Sequence, residues 1–352
     1  RYGKDLESEM PEVDAFVGID PDGAAQIALR ALGVSDAPVP SQVALRSHRF
    51  TPGAWSYLRV ADGCDNCCAY CAIPLIRGPL RSHPYAELLE EAKFLCGGGV
   101  RELNLIAQDT TAFGMDTDGR QRIHELVREL RELEGLRRLR LLYMHPAHIY
   151  DELLDVMAEG EPVAPYFDIP LQHAAPGMLE AMGRKVTREE VEDLVATIRQ
   201  RVPGAVLRTT FLVGFPGETD EQFENLLEFV HEMRFDRMGC FTYSAEEGTP
   251  AAEMPGQVPE EVAQERLDRL MTAQQEIAFD LARERIGQRA NVLVEDVHDG
   301  AFVAARGPAE APGVDPVVLI DAGDAPEGGT FVDVEIVQAL GYDVIGEIVP
   351  GE

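Results

Sequence analysis

The sequence predicts an α/β protein in two parts, a βα barrel (partial or complete) followed by a small all-β barrel. Three observations lead there. Between residues 50 and 284, β-like runs alternate with amphipathic helical patterns six times, which argues for a parallel sheet. From 285 to 352 the helical period disappears, and short β-like runs are separated by Gly, Pro and Asp. With 352 residues, 45% of them hydrophobic, the chain can bury a large core and a smaller second one.

Residues 1–49 read as the end of a truncated domain and then a linker containing Pro38 and Pro40. Within them VDAFVGI (13–19) reads as a buried strand. The strands expected next are AWSYLRV (54–60), RELNLIA (101–107), LRLLYM (139–144), YFDIP (166–170), VLRTTFLVGF (206–215) and DRMGCFTYS (236–244). Helical patterns fall near 85–96, 120–134, 149–159, 187–201 and 219–234. In such a barrel the active site lies at the C-terminal strand ends. A longer helix follows, with Pro259 suited to its first turn and Gly287 to the position past its end. Leu267, Leu270, Met271, Ile277, Ala278 and Leu281 mark its apolar stripe, which is expected to pack across the barrel. The last domain, 285–352, holds ANVLVEDV, AFVAAR, VVLI, FVDVEIVQA and YDVIGEIV.

Formal net charge is −31. That surface repels phosphate backbones and suits a basic partner, although solubility or salt adaptation explains much of it. No run of about 18 apolar residues is present, so no membrane span is expected. Nor does the N-terminus read as a signal peptide. The chain opens at Arg1, which reads as part of a longer protein.

Four of the six cysteines sit at 64, 67, 68 and 71, immediately after the first strand. This clustering indicates a metal site in a reducing cytoplasm rather than a disulfide scaffold. Cys64-x3-Cys68-x2-Cys71 puts three thiolates on one loop, enough for three irons of a four-iron cluster, with the fourth left open. S-adenosylmethionine (SAM) could chelate that iron through its amino and carboxylate groups, and one electron would then split it. The competing reading is a structural zinc with Cys67 as fourth ligand, but Cys67 is adjacent to Cys68 and would strain convergence on one ion. Cys96 and Cys240 read as buried apolar residues.

At the strand ends stand Gln108 and Asp109, followed by Thr110 and Thr111; Gln172 and His173; and Gly214, Gly217 and Glu218. With Tyr70 and Arg208 they are the candidate SAM contacts. Each has a bland alternative. GFPGET could be a turn with Glu218 in the next helix's first turn and Thr219 or Asp220 as its cap. His173 could be a satisfied loop histidine. Arg208, inside an apolar strand, needs an anion, either the SAM carboxylate or a structural Glu.

The cysteine spacing with AIP and RGPLRSHP (77–84) resembles the methylthiotransferase branch of radical SAM enzymes. So do AQDTTAFG (107–114), YFDIPLQHAAPGMLEAMGR (166–184), RTTFLVGFPGETDEQF (208–223) and DRMGCFTYS (236–244), and the C-terminal barrel is similar to a TRAM domain. The resemblance covers essentially the whole chain. It implies an α/β fold, namely a radical SAM partial (βα)6 TIM-like barrel followed by a small all-β TRAM barrel. It also implies a transferase of sulfur-containing groups in the cytoplasm, a 4Fe-4S cluster on Cys64, Cys68 and Cys71, and a reductant such as flavodoxin or ferredoxin.

Two branches of that family compete. One modifies isopentenyl-adenosine in transfer RNA; the other modifies an aspartate β-carbon on small-subunit ribosomal protein S12. DIPLQHAAP and DRMGCFTYS look like the latter. Residues 285–352 hold three Arg, no Lys and thirteen Asp plus Glu, a net of −10, so RNA binding is not expected and a basic ribosomal protein is. A non-catalytic iron–sulfur module that docks on ribosomes is the alternative of another class. In the family a second SAM supplies the methyl group, and the sulfur passes through a second cluster on three cysteines of an N-terminal domain. No cysteine precedes Cys64. The chain is therefore expected to hold one cluster and to cleave SAM without completing methylthiolation. Cys67 departs from the family, which commonly has a basic or polar residue there.

Overall fold

The structure, a computed structural model, describes residues 53–349 and the isolated positions 10, 13, 27–29 and 31–33. The strand expected at 13–19 and the Pro38–Pro40 linker lie outside the described residues.

The first part contains β1 (Trp55–Arg59), β2 (Ala61–Asp62), α1 (Ile73–Arg77), β3 (Arg81–Ser82), α2 (Tyr85–Gly97) and β4 (Glu102–Ile106). It continues with α3 (Met115–Asp118), α4 (Ile123–Leu130), β5 (Arg138–Leu141), α5 (Asp151–Ala158), β6 (Tyr166–Asp168) and α6 (Met178–Ala181). Then come α7 (Arg188–Arg201), β7 (Val206–Val213), α8 (Asp220–Met233), β8 (Arg237–Thr242) and α9 (Glu260–Glu284). β1, β4 and β5 form one parallel sheet; β6, β7 and β8 form another. Backbone bonds join them. Leu139 N–H donates to Pro162 O (2.7 Å), Ala164 N–H to Leu139 O (2.8 Å) and Met144 N–H to Asp168 O (2.8 Å). The six strands thus make one arc, and among the described residues no ladder joins β8 back to β1. This is the partial (βα)6 barrel.

Strand periodicity explains the layers. In β7, Leu207, Thr209, Phe211 and Val213 are buried, while the alternate residues Val206, Arg208, Thr210 and Leu212 are half-exposed. α7 and α8 start on capping boxes, Thr187 with Glu190 and Thr219 with Gln222. Thr219, not Asp220, is therefore the cap, and Glu218 precedes the helix instead of opening it. α9 follows Pro259, which is its cap and not part of its first turn. Its Leu270, Ile277 and Ala278 are buried, and Gly287 N–H donates to Ile336 O (2.7 Å) beyond its end. The expected fifth helical pattern and its neighbours differ from the structure only at their ends. LRLLYM leaves the sheet after Leu141, because Tyr143 takes a left-handed backbone (φ 60).

The second part is a closed barrel. β9 (Arg289–Asp299), β10 (Phe302–Arg306), β11 (Val318–Asp321), β12 (Phe331–Leu340) and β13 (Asp343–Ile348) close in the order β10-β11-β13-β12-β9. Val292, Val294, Val303, Val318, Ile320, Val334 and Val344 fill it.

The two parts share a buried ionic joint. Glu102, on β4, is fully buried and meets Arg306 of β10 at 2.9 and 3.0 Å. Arg138 donates to Arg306 O (2.8 Å) and Asn291 O (2.6 Å), and Arg140 to Pro308 O (2.7 Å). Burial alone would raise the Glu102 carboxyl's pKa, but Arg306, Arg140 and Arg138 outweigh it and hold the group ionised. The loop after β10 enters the arc. Ala311 is buried against Leu142, Ala164 and Tyr166, and Tyr166 Oη donates to Asp315 (2.5 Å). Replacing Glu102 by Ala removes the carboxylate that three buried guanidinium groups share. It is expected to cost about 3–5 kcal/mol, read as a lower urea midpoint; an unchanged midpoint would refute the role of this joint.

Candidate active site

The cysteine loop leaves the short strand β2 through Gly63. This residue has φ 71, and a Cβ there would lie 2.0 Å from Pro79 O, so neither backbone nor space admits a side chain. The loop is then tied down along its length. Cys64 N–H donates to Gly78 O (3.2 Å), Leu80 N–H to Asp65 Oδ1 (3.0 Å) and Ala69 N–H to Met182 O (2.8 Å). Gly183 (φ 73) passes so close that a Cβ would stand 2.8 Å from Cys67 O. Next to it Arg184 donates towards Cys68 Sγ (3.8 Å) and also to Pro170 O.

Cys64, Cys68 and Cys71 line one cavity of about 420 Å³. Cys67 is exposed and does not line it, and Cys96 is buried in the core. Burial pushes the Cys64 and Cys71 thiols up, so a metal group that binds them must displace their protons. Burial also pushes Cys240 up, to about 12, in keeping with an apolar role.

Of the other sequence candidates, Tyr70, Gln108 and Gln172 line the same cavity. Gln172 has φ 74, and its backbone is fixed to β7 by Gln172 N–H to Thr210 O (2.8 Å) and Leu212 N–H to Gln172 O (2.7 Å). Burial raises the Tyr70 hydroxyl's pKa and keeps it neutral. Asp109 lines an adjoining cavity of about 310 Å³ that shares Cys64 and Asn66 with the first. Its carboxylate accepts from Asn66 Nδ2 (2.8 Å) and pairs with His148 Nδ1 (2.7 Å). Burial opposes its ionisation, yet His148 and the hydrogen bond from Thr111 hold it below the usual carboxylate range.

The remaining candidates do not line either cavity. His173 is fully buried. Its Nδ1 accepts from Ala174 N–H (3.0 Å) and Ala175 N–H (2.9 Å), which leaves the proton on Nε2, facing Glu218 (3.2 Å). Glu218 also accepts from Gly214 N–H and from Arg266 (3.0 Å) of α9. A Cβ on Gly214 (φ 73) would stand 2.5 Å from Ala263 Cβ, and Gly217 N–H donates to Gly256 O (2.8 Å). This group ties the loops after β6 and β7 to α9. Arg208 points to the opposite end of the arc, where Asp168 (2.7 Å) and Asp315 (3.8 Å) supply its anions, so neither SAM nor a Glu is its partner.

Sequence reasoning missed Arg59, Asn66, Tyr143, His145 and Arg184, which also line the first cavity. Burial, with Arg184 nearby, pushes His145 down to about 3, so it is neutral. Arg184 and Tyr143 carried a signal, since both lie at expected strand ends or in quoted motifs. Three buried polar atoms of cavity-lining residues have no partner, namely Arg59 Nε, Gln108 Oε1 and Arg184 Nε. Orphaned groups of this kind suit a polar ligand.

The residues fit an iron–sulfur cluster. The donors are three thiols lining one cavity, with the Arg184 cation beside Cys68. Among the described residues no three His, Cys, Asp or Glu side chains are arranged around a single ion. A four-iron cluster that takes three thiolates and leaves one iron open matches this donor set, whereas a structural zinc takes four ligands.

Known proteins resemble this chain along its length. Residues 58–230 match the Radical SAM superfamily and 286–349 the TRAM domain. The chain is 42% identical to the ribosomal protein uS12 methylthiotransferase RimO of Lachnoclostridium phytofermentans, over 98% of this chain and 80% of that one. It is 43% identical to RimO of Desulforamulus reducens, over 99% and 81%. Among solved structures, the radical SAM methyltransferase TsrM of Kitasatospora setae superposes with a TM-score of 0.47 at 18% identity, over 70% of this chain and 42% of that one.

Changing Gly63 to Ala should displace the loop without unfolding the barrel. The expected result is a severalfold loss of iron after reconstitution with an unchanged circular dichroism spectrum. Full iron retention would contradict the steric reading.

Proposed function

The chain belongs to the RimO family of ribosomal protein uS12 methylthiotransferases, and from that premise we propose how its residues serve the reaction. The reaction adds a methylthio group to the β-carbon of an aspartate on uS12 by radical SAM chemistry. The observation that carries the reading is one cavity lined by three thiols and by orphaned polar atoms.

Cys64, Cys68 and Cys71 hold one 4Fe-4S cluster, and SAM occupies the cavity beside it. When bound, the cluster would supply the one electron that radical SAM chemistry at the aspartate β-carbon requires. The chain's own residues prepare that event. Arg184 sets a positive charge against Cys68 and balances thiolate charge. Gln108 Oε1 accepts from a SAM amino or hydroxyl group, and Gln172, held by its left-handed backbone, offers its amide from the opposite strand end. Neutral Tyr70 and neutral His145 supply hydrogen-bonding groups without adding charge. His173, Glu218 and Arg266 position the loops and touch no ligand.

The acidic C-terminal barrel favours a basic protein partner over transfer RNA. Two of its three arginines face the joint, Arg306 to Glu102 and Arg285 to Glu310 (2.6 Å), which leaves the outer face more acidic still. An external one-electron carrier such as flavodoxin or ferredoxin completes the electron balance, and the cytoplasm, where ribosomes are made, is the site of action. No helix among the described residues is long and apolar enough to cross a membrane.

Anaerobic reconstitution with iron and sulfide should give about four irons per chain, and deoxyadenosine after SAM and dithionite are added. Cys68→Ala should abolish deoxyadenosine; a zinc-loaded chain without deoxyadenosine would sink the radical reading. Gln108→Leu should keep its iron and weaken SAM binding about tenfold, the worth of one buried hydrogen bond. Unchanged SAM affinity would remove Gln108 from the site.

A further inference from the structure

The substrate of the proposed reaction is an aspartate side chain, and its carboxylate has to be held while its β-carbon is exposed to attack. The cations that line the two adjoining cavities are Arg59, Arg184, His148 when protonated, and Lys185. Most of these are engaged. Arg59 faces Asp62 (3.2 Å), Arg184 reaches Pro170 O and Cys68, and His148 pairs with Asp109 (2.7 Å). Lys185 has no hydrogen bond or ion pair among the described residues. Its freedom stands out in a chain with 62 Asp plus Glu and only three lysines.

Lys185 lines the second cavity, which adjoins the first through Cys64 and Asn66. Its charge helps keep His145 neutral in the first. The Gly183–Arg184 segment that packs on the cysteine loop fixes the backbone beside it. A flexible ammonium on a four-carbon stem can follow a carboxylate that enters from outside. Asp65, exposed on the same cavity's wall, suits basic residues flanking the aspartate in a ribosomal protein.

We propose that Lys185 binds the carboxylate of the substrate aspartate and makes the enzyme select Asp over its neutral isostere Asn. The proposal rests on the uS12 reading above and names the group that recognises the target side chain. Lys185 offers a charge-assisted hydrogen bond that an amide cannot match.

The test is equilibrium binding of purified uS12, and of uS12 carrying Asn at the modified position, to the reconstituted full chain with SAM present. Wild-type enzyme should bind the Asp form about tenfold more tightly than the Asn form. Lys185→Met should erase that ratio by weakening the Asp form alone, and Lys185→Arg should restore part of it. Lys185 is exposed, so folding is not at risk. A ratio that survives in Lys185→Met, an equal loss for both forms, or no discrimination by the wild type would each overturn the proposal. If the wild type binds neither form, the uS12 reading itself fails.

Discussion

The buried carboxylate of Glu102 is the interaction on which the architecture depends. A six-stranded arc that does not close leaves a lumen with no floor. Here the floor is ionic, with Glu102 under Arg306, Arg138 and Arg140, and the loop after β10 brings Ala311 and Asp315 beneath it. Charges taken out of water are tolerated only when every partner is present, so this joint demands the C-terminal barrel in one orientation. Arg208 belongs to the same floor. Its pairing with Asp168 and Asp315 explains why a cation sits inside an apolar strand with no ligand near it.

Above that floor, the catalytic end is built by a second kind of constraint. Glycines without room for a Cβ, Gly63 and Gly183, let the cysteine loop lie against its neighbours, and backbone bonds to Gly78 and Met182 hold it. On the far side, Glu218 gathers His173, Gly214 and Arg266 into a rigid support for the loops after β6 and β7. Between these supports the cavity is lined by three unpartnered buried atoms, Arg59 Nε, Gln108 Oε1 and Arg184 Nε. Buried polar atoms left without a partner beside an open cavity are where a polar ligand can bind.

Strand and helix order were legible in the sequence because period-2 and period-3.6 patterns were clean. The cysteine triad was legible because its spacing is local. What pattern could not supply was pairing across the fold. Arg208, His173 and Glu218 look like ligand contacts in a linear reading, since buried polar residues near strand ends attract that interpretation. Arg208 finds Asp168 40 positions away, and His173 finds Glu218 45 positions away, separations over which sequence gives no register. Arg184 was missed for the complementary reason. It lies in a short connection after α6, and only the packing of Gly183 on Cys67 reveals that this connection touches the cysteine loop.

The most direct measurement is isotope transfer from uS12 carrying deuterium on the aspartate β-carbon. Incubated with the reconstituted chain, SAM and dithionite, it should yield deoxyadenosine carrying one deuterium by mass spectrometry. Deoxyadenosine formed at a normal rate but free of deuterium would contradict the account, because SAM cleavage would then be uncoupled from the aspartate.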